Sequence, residues 1–564
     1  MSEIKNGNDA RIKERLAERY RTIDGPALRR MVMASLDWLR TNQQVVNSLN
    51  VFPVPDGDTG TNMVLTMQSA VDEVEQLGDR PVGEVAHAIA HGALMGARGN
   101  SGVILSQLWR GFSRALDDRQ VMEAEPLVEA LEEARETAYK GVVRPVEGTI
   151  LTVSKDIAIA ARNAFKNGTT STFEILEAVV QAADESVERT PDLLPVLKEA
   201  GVVDSGGKGL FFLLEGILRA AYRQPLDQPL ISVQPLSALA LDDSLEGIEP
   251  GQDWEVVVDF QPTNNLDLKS FYGKLESIGT SIQIGEGDGM YRMHIHVADT
   301  KEYEPIDYIR SLGSVSKVAI ENLMLQMAER NSRHDIDDIR LGAVEPDQIA
   351  VVAVAPGLGI ARIFASLGVA GIIEGGQTMN PSTQEILASF ENLPTDKIIL
   401  LPNNKNIILA AKQAAELTVK KVAVLPSVSV PQGIAAMFAW EPDGEFEATE
   451  RAMTAAMADV HFVEVTTATR SVEIDGVNVT EGQSIGLLDG KLACSGDDLE
   501  QVLWNALDQG GAADCELITL YYGADLTSSA AHQMADLIRD RYTQQEVEVL
   551  EGGQPHYQLI LSLE

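Results

Sequence analysis

From residue 27 to about residue 216, apolar positions recur at spacings of three and four, and the first clear run is Leu28, Met31, Val32, Leu36, Leu39 and Val46. Alternating β-branched runs are scarce there, so the pattern predicts an all-α domain, bounded at 24–222. Pro225, Pro229, Pro235 and Pro250 then interrupt a stretch with no sustained period, which predicts a linker over 223–253. After it the texture changes. Segments 254–260, 281–284, 291–297 and 315–320 are strand-like, while 266–278 and 305–312 are helical. That βαββαβ order predicts a ferredoxin-like α+β middle domain over 254–335. In the remainder, 345–564, the runs 349–354, 371–373, 397–401 and 421–425 alternate with helical stretches, as parallel α/β units do. A subdomain boundary is expected near 445, and a last strand at 557–563.

No stretch reaches the roughly 18 uninterrupted apolar residues of a membrane span, since even 210–218 is broken by Glu215. Residues 1–21 are charged throughout and lack the apolar core of a signal peptide, so a cytoplasmic chain without a transmembrane segment is expected. Asp and Glu number 84 against 45 Lys and Arg, a net charge of −39 that disfavours nucleic acid as a partner. Cys494 and Cys515 are the only cysteines, which excludes a disulfide framework and a four-Cys zinc site.

The most informative stretch joins two predicted helices: Asn50-Val-Phe-Pro-Val-Pro-Asp56-Gly-Asp58-Thr-Gly60-Thr61-Asn62-Met63. Leu39, Gln43, Val46 and Asn50 fall on one helical face, which places Asn50 at the inward end of the first helix. Pro53 and Pro55 stiffen the loop and hold Asp56 and Asp58 two residues apart, an arrangement of hard oxygen donors suited to Mg²⁺. An Asp-rich turn that merely caps the helix starting near Thr61 is the plain alternative. Gly96-Ala-Arg-Gly99-Asn100-Ser101-Gly102 precedes an apolar helix at 103–112 and so offers free N–H groups to a phosphate. Val203-Asp204-Ser205-Gly206-Gly207-Lys208-Gly209 opens onto another helix and is not a Walker A loop, because Val202 and Gly209 stand where Gly and Ser or Thr are needed. Each glycine-rich turn is weak by itself. Together with the Asp pair they favour a Mg·nucleotide site.

The strings Leu49 to Met63 and Gly96 to Gly102, with Arg144-Pro-Val-Glu-Gly-Thr-Ile-Leu-Thr152 and Gly201-Val-Val-Asp-Ser-Gly-Gly207, closely resemble the DhaL-type nucleotide-binding component of dihydroxyacetone kinase. More particularly, the chain resembles the FakA family, the kinase component of fatty acid kinase, since Glu374-Gly-Gly-Gln-Thr-Met-Asn-Pro-Ser-Thr383 and Leu401-Pro-Asn-Asn-Lys-Asn406 are strings typical of that family. The resemblance covers the chain nearly end to end. It implies an α-helical barrel that binds ATP and Mg²⁺, two ions, and transfers the γ-phosphoryl group to a fatty acid carboxylate presented by a separate acyl-binding B-type subunit. The acyl phosphate formed would serve phospholipid synthesis. Carried over, Asn50, Asp56 and Asp58 would be the metal ligands, although dihydroxyacetone kinase carries an Asp near the place of Asn50. Thr61, Asn62, Gly99, Asn100, Ser101, Gly102 and Thr149 would line the nucleotide, with Asp204, Gly206 and Gly207 closing over it. A dihydroxyacetone-type kinase acting on a small ketose and a nucleotide-sensing scaffold are the other readings. The acyl-chain preference is not legible, nor is whether the chain acts alone or as a homodimer.

His87 and His91, four apart on a helix, lack the Glu of a zincin motif and read as a packed or solvated pair. His294 and His296 share one face of a predicted strand. In the resembled family such a pair joins a Cys of the first middle-domain strand to bind zinc and support activity, but here Val257 aligns with that Cys. Zinc is therefore in doubt, and a catalytic or phosphate-facing role for His294 and His296 stands. In the C-terminal region the loops 356–359, 374–382, 402–406 and 426–432 should gather at the carboxyl ends of parallel strands, where ligands or partners bind. Ser382 and Glu385 read as a capping box.

Overall fold

The structure is a computed structural model that describes residues 8–51, 57–75, 77–142, 144–226, 234–235, 254–263, 266–287, 290–298, 301–322, 339–377, 379–468, 472–474 and 476–564. Asp56 and most of the expected linker 223–253 lie outside them.

The first region is helical, as its periodicity predicts. Asp24 caps helix Gly25–Thr41 by accepting the Ala27 N–H at 2.8 Å, and Pro26 sits in the first turn. Its apolar stripe packs Trp38 edge-on against Phe212 of helix Ser205–Ala221, with ring centroids 6.4 Å apart. A Cβ on Gly216 would stand 2.8 Å from the Ala34 carbonyl oxygen, so only glycine lets these two helices approach this closely. The expected single helical face from Leu39 to Asn50 is interrupted. Asn42 ends the first helix, its side-chain amide donating to the Trp38 carbonyl at 2.8 Å, and a short helix Gln43–Ser48 follows. Asn50 stands just beyond it, buried.

In the middle region, strands Thr280–Gly287, Met290–Val297, Trp254–Pro262 and Gly313–Asn322 neighbour one another in that order, all antiparallel. Helices Leu268–Leu275 and Glu304–Arg310 supply Phe271, Leu275 and Ile309 to a core with Val256, Val258, Phe260, Met293 and Ile295. Alternation then turns Glu255, Val257, His294 and His296 to the opposite face.

The C-terminal region holds two sheets. Strands Lys421–Val424, Lys397–Leu401, Ile349–Ala355 and Gly371–Glu374 form a parallel sheet. Every residue of Ile349–Ala355 is buried, as expected of a strand covered by helices on both faces. The second sheet is mixed, with order Lys491–Gly496, Ser484–Leu488, His461–Thr467, Tyr557–Leu563, Leu517–Tyr522 and Glu546–Glu551. The parallel sheet also packs on the helical region: Ala97 and Val103 share a core with Val352, Val354, Ile386 and Leu400. No helix among the described residues is long and apolar enough to cross a membrane.

Candidate functional site

Four helices begin at one place in the helical region: Thr59–Glu75, Gly99–Arg114, Ile150–Lys166 and Ser205–Ala221. The Ser205 hydroxyl donates to Thr59 Oγ1 at 3.2 Å, joining two of the starts. A Cβ on Gly99 would stand 2.6 Å from Asn62 Nδ2, and one on Gly207 would stand 2.8 Å from the Val153 side chain, so the other starts are equally close. Gly99 itself has φ +56°, which favours glycine. Converging N-termini aim unpaired N–H groups and positive dipole ends at one volume, the electrostatics that hold phosphates. The Gly99–Arg114 helix starts earlier than residue 103, so Asn100, Ser101 and Gly102 form its first turn rather than a preceding loop.

Asp58 stands at the start of Thr59–Glu75, only 7% exposed. Its Oδ2 accepts from Asn62 Nδ2 at 2.7 Å and also from Asn380 Nδ2, a residue of the C-terminal region. Thr61 Oγ1 accepts from Gln43 Nε2 at 2.9 Å and from Asn47 Nδ2 at 3.1 Å, while Asn47 Oδ1 takes the Gly60 N–H at 2.7 Å. Thr149 caps Ile150–Lys166. Asp204 caps Ser205–Ala221 by accepting the Gly207 N–H at 2.7 Å. Burial pushes its carboxyl up to about 7 against the pull of backbone N–H bonds from Gly207 and Ile150. Asp204 and Gly207 are thus engaged with each other inside the fold, and Gly206 beside them is buried.

Loops of the parallel sheet reach this place. Asn100 Nδ2 donates to Asn406 Oδ1 at 3.1 Å, Arg98 donates to the Asn380 carbonyl at 3.0 Å, and Arg98 pairs with Glu385 at 3.1 Å. Ser382 and Glu385 form the expected capping box, which fixes the loop that carries Asn380. Asn380 is 2% exposed, and its Oδ1 has no hydrogen-bond partner among the described residues. A buried carboxylate beside an unsatisfied amide oxygen, under four helix N-termini, fits a hydrated divalent cation with phosphates. Elsewhere the same loops border a cavity of about 320 Å³ between the two C-terminal sheets, lined by Gly376, Asn404 and Lys405 on one side and Glu464, Lys491 and His556 on the other.

The middle region holds a second cluster. Register sets Val257 opposite His294 and Glu255 opposite His296. His294 Nε2 lies 3.1 Å from Glu255 Oε1, and one donor atom from each of Glu255, His294 and His296 lies within 4.8 Å of the others. Burial, and then the neighbouring His296, push the His294 imidazole down to about 3, leaving it neutral at pH 7. A carboxylate two residues before Val257, on the same face, thus stands beside the His pair. Two-residue alternation pointed to it; composition did not. His87 and His91 are exposed, His91 facing Glu73 at 3.3 Å.

The chain matches three family models: the DAK2 domain at residues 53–219, the FakA-like middle domain of fatty acid kinase at 249–330, and the FakA-like C-terminal region of the same kinase at 350–564. Protein YloV of Bacillus subtilis (strain 168) is 39% identical over 555 residues, 96% of this chain and all of that one. The chain belongs to the FakA-like family of fatty acid kinases. An uncharacterized protein of Staphylococcus aureus (strain USA300) is 37% identical over 96% of this chain and 99% of its own. Among solved structures, the Streptococcus pneumoniae fatty acid kinase B3 protein loaded with linoleic acid is similar over 33% of this chain and 76% of its own, at 17% identity and a TM-score of 0.25, too slight a likeness to build on. Family membership implies a kinase and agrees with a nucleotide site at the helix N-termini.

Proposed function

We propose that this chain is the ATP-dependent component that phosphorylates the carboxylate of a fatty acid held by an acyl-binding B-type partner. The observation that carries the reading is the convergence of four helix starts on buried Asp58, within a chain of this family. A carboxylate oxygen of the acceptor bonds to the γ-phosphorus, the bridging P–O bond breaks, and ADP leaves with the electron pair, giving acyl phosphate. A fatty acid with an ordinary carboxyl pKa of about 4.5 is already ionised at pH 7, so the step needs no general base. When bound, Mg²⁺ supplies charge neutralisation between the two anions.

The residues divide that work. Asn50, Asp56 and Asp58 hold the cation, and the N–H groups of Gly99, Asn100, Ser101 and Gly102 cradle phosphates. Thr61 and Asn62 border the phosphates from the facing helix start, and Thr149 from a third. Asp204, Gly206 and Gly207 fix the fourth helix start in place. In the middle region, strand order supports a ferredoxin-like unit, with His294 and His296 as its functional pair. Glu255 takes the part of the missing thiolate, which makes the set two imidazoles and one carboxylate, a donor set suited to zinc or another first-row divalent ion. The C-terminal region docks the partner in line with the γ-phosphate, and positioning of this kind is worth roughly 7–11 kcal/mol of barrier.

The test is direct: incubate the chain with ATP, Mg²⁺ and an acyl-loaded B-type protein and measure acyl phosphate. Formation that needs all three supports the reading. Phosphorylation of a small ketose without acyl phosphate would replace it with the dihydroxyacetone-type activity.

A further inference from the structure

We propose that Asn380, carried by the C-terminal region, is a positioning residue of the cation site: its amide nitrogen fixes the Asp58 carboxylate, and its buried amide oxygen receives a water of the bound cation. The inference rests on the reading of Asp58 as a cation ligand and adds a residue 322 positions away in sequence. It makes the site composite.

Three observations support it. Asn62 and Asn380 both donate to the same oxygen of Asp58, leaving the carboxylate oriented from two sides. Asn380 Oδ1 is buried and unsatisfied among the described residues, a costly state for an amide whose only task is packing. Exchanging the amide's oxygen and nitrogen does not remove the problem, because it would set the oxygen against the carboxylate. The loop is held independently of the site, by the Ser382–Glu385 capping box, by Arg98 on the Asn380 carbonyl and on Glu385, and by the Thr383 N–H on the Ala97 carbonyl at 3.1 Å. Asn380 is therefore presented to Asp58 by a rigid support, in the manner of residues that orient metal ligands from outside the coordination shell. One consequence is reciprocal linkage. Whatever strengthens docking of the parallel sheet on the helical region strengthens cation binding by the same factor, and the cation strengthens docking.

The test uses the full chain with saturating ADP and Mn²⁺ as the probe, free Mn²⁺ being read by electron paramagnetic resonance. Asn380→Ala is expected to weaken Mn²⁺ binding by about 10–100-fold. Glu385→Gln breaks the Arg98 ion pair at the same interface, keeps the capping box and does not touch Asp58, so it should stay within about threefold of wild type. Equal loss in both variants, or wild-type affinity in Asn380→Ala, would overturn the proposal. If the alanine variant fails to fold, Asn380→Asp serves. It sets a second carboxylate against Asp58, so its melting temperature should rise on adding Mn²⁺ by clearly more than that of wild type. An equal rise in both proteins would count against a cation at this place. Mn²⁺ binding is measured without acyl transfer, so a chain that binds Mn²⁺ as expected yet makes no acyl phosphate would refute the kinase reading and leave Asn380's role standing.

Discussion

Asp58 and Glu255 are both buried carboxylates beside other donors, yet their surroundings are assembled in opposite ways. Glu255, His294 and His296 stand on neighbouring antiparallel strands, and the register that pairs Glu255 with His296 creates the cluster as soon as the sheet forms. Asp58 stands on a loop-to-helix junction and takes its second orienting amide from Asn380, across an interface between two regions. The strand-built cluster should therefore keep its geometry through any change in docking, whereas the helix-start site should respond to it.

The largest expected effect is at Asp58. Asp58→Asn should abolish acyl-phosphate formation, at a cost of several kcal/mol of transition-state stabilisation, with circular dichroism unchanged because no core atom is lost. Asp56→Asn should do the same, and near-normal turnover in both would remove the cation from this site. Next in size is the middle cluster. Chelator-washed protein should retain about one divalent transition-metal ion per chain, and Glu255→Ala should lower that affinity at least tenfold while ADP binding is unchanged. Less than one ion per chain in the wild type would mean that Glu255 does not make good the absent Cys.

Asp204 gives a smaller, pH-dependent effect. Its carboxyl is raised from 3.8 to about 7 in the folded chain, so the stability it contributes is full below about pH 4 and is lost as pH rises to about 7. Asp204→Asn, which keeps a capping side chain, should flatten thermal stability across that window, and an unchanged slope would show that the carboxyl is not held neutral. Smallest is Asn47→Ala. It removes the acceptor for the Gly60 and Thr61 N–H groups and should cost about 1 kcal/mol in chemical denaturation.

Much of this was legible in the chain. Periodicity placed the helical region and the strand order, and the motifs around Asp58 and Asn100 marked the helix starts. Asn380 and Asn406 lie in strings that the resemblance singled out, but no local rule could bring them to Asp58 and Asn100, because that contact depends on how the parallel sheet packs through Ala97 and Val103. Glu255 was within reach by alternation, yet only the register with Met290–Val297 tells which carboxylate stands beside the His pair. The break at Asn42 was hidden because the apolar spacing runs on across it, while a side-chain amide turns back to the Trp38 carbonyl.

The place of strand Tyr557–Leu563 bears on how the chain is made. It lies between His461–Thr467 and Leu517–Tyr522, and residue 461 leaves the ribosome roughly ninety residues before its partner in that pair. During synthesis at about 5–20 residues per second, His461–Thr467 spends several seconds with one edge unpaired. An open edge of this kind, rich in valine and threonine, invites pairing with a second nascent chain. Slow translation through 468–556 should therefore lower the yield of folded protein more than the same delay placed within the helical region.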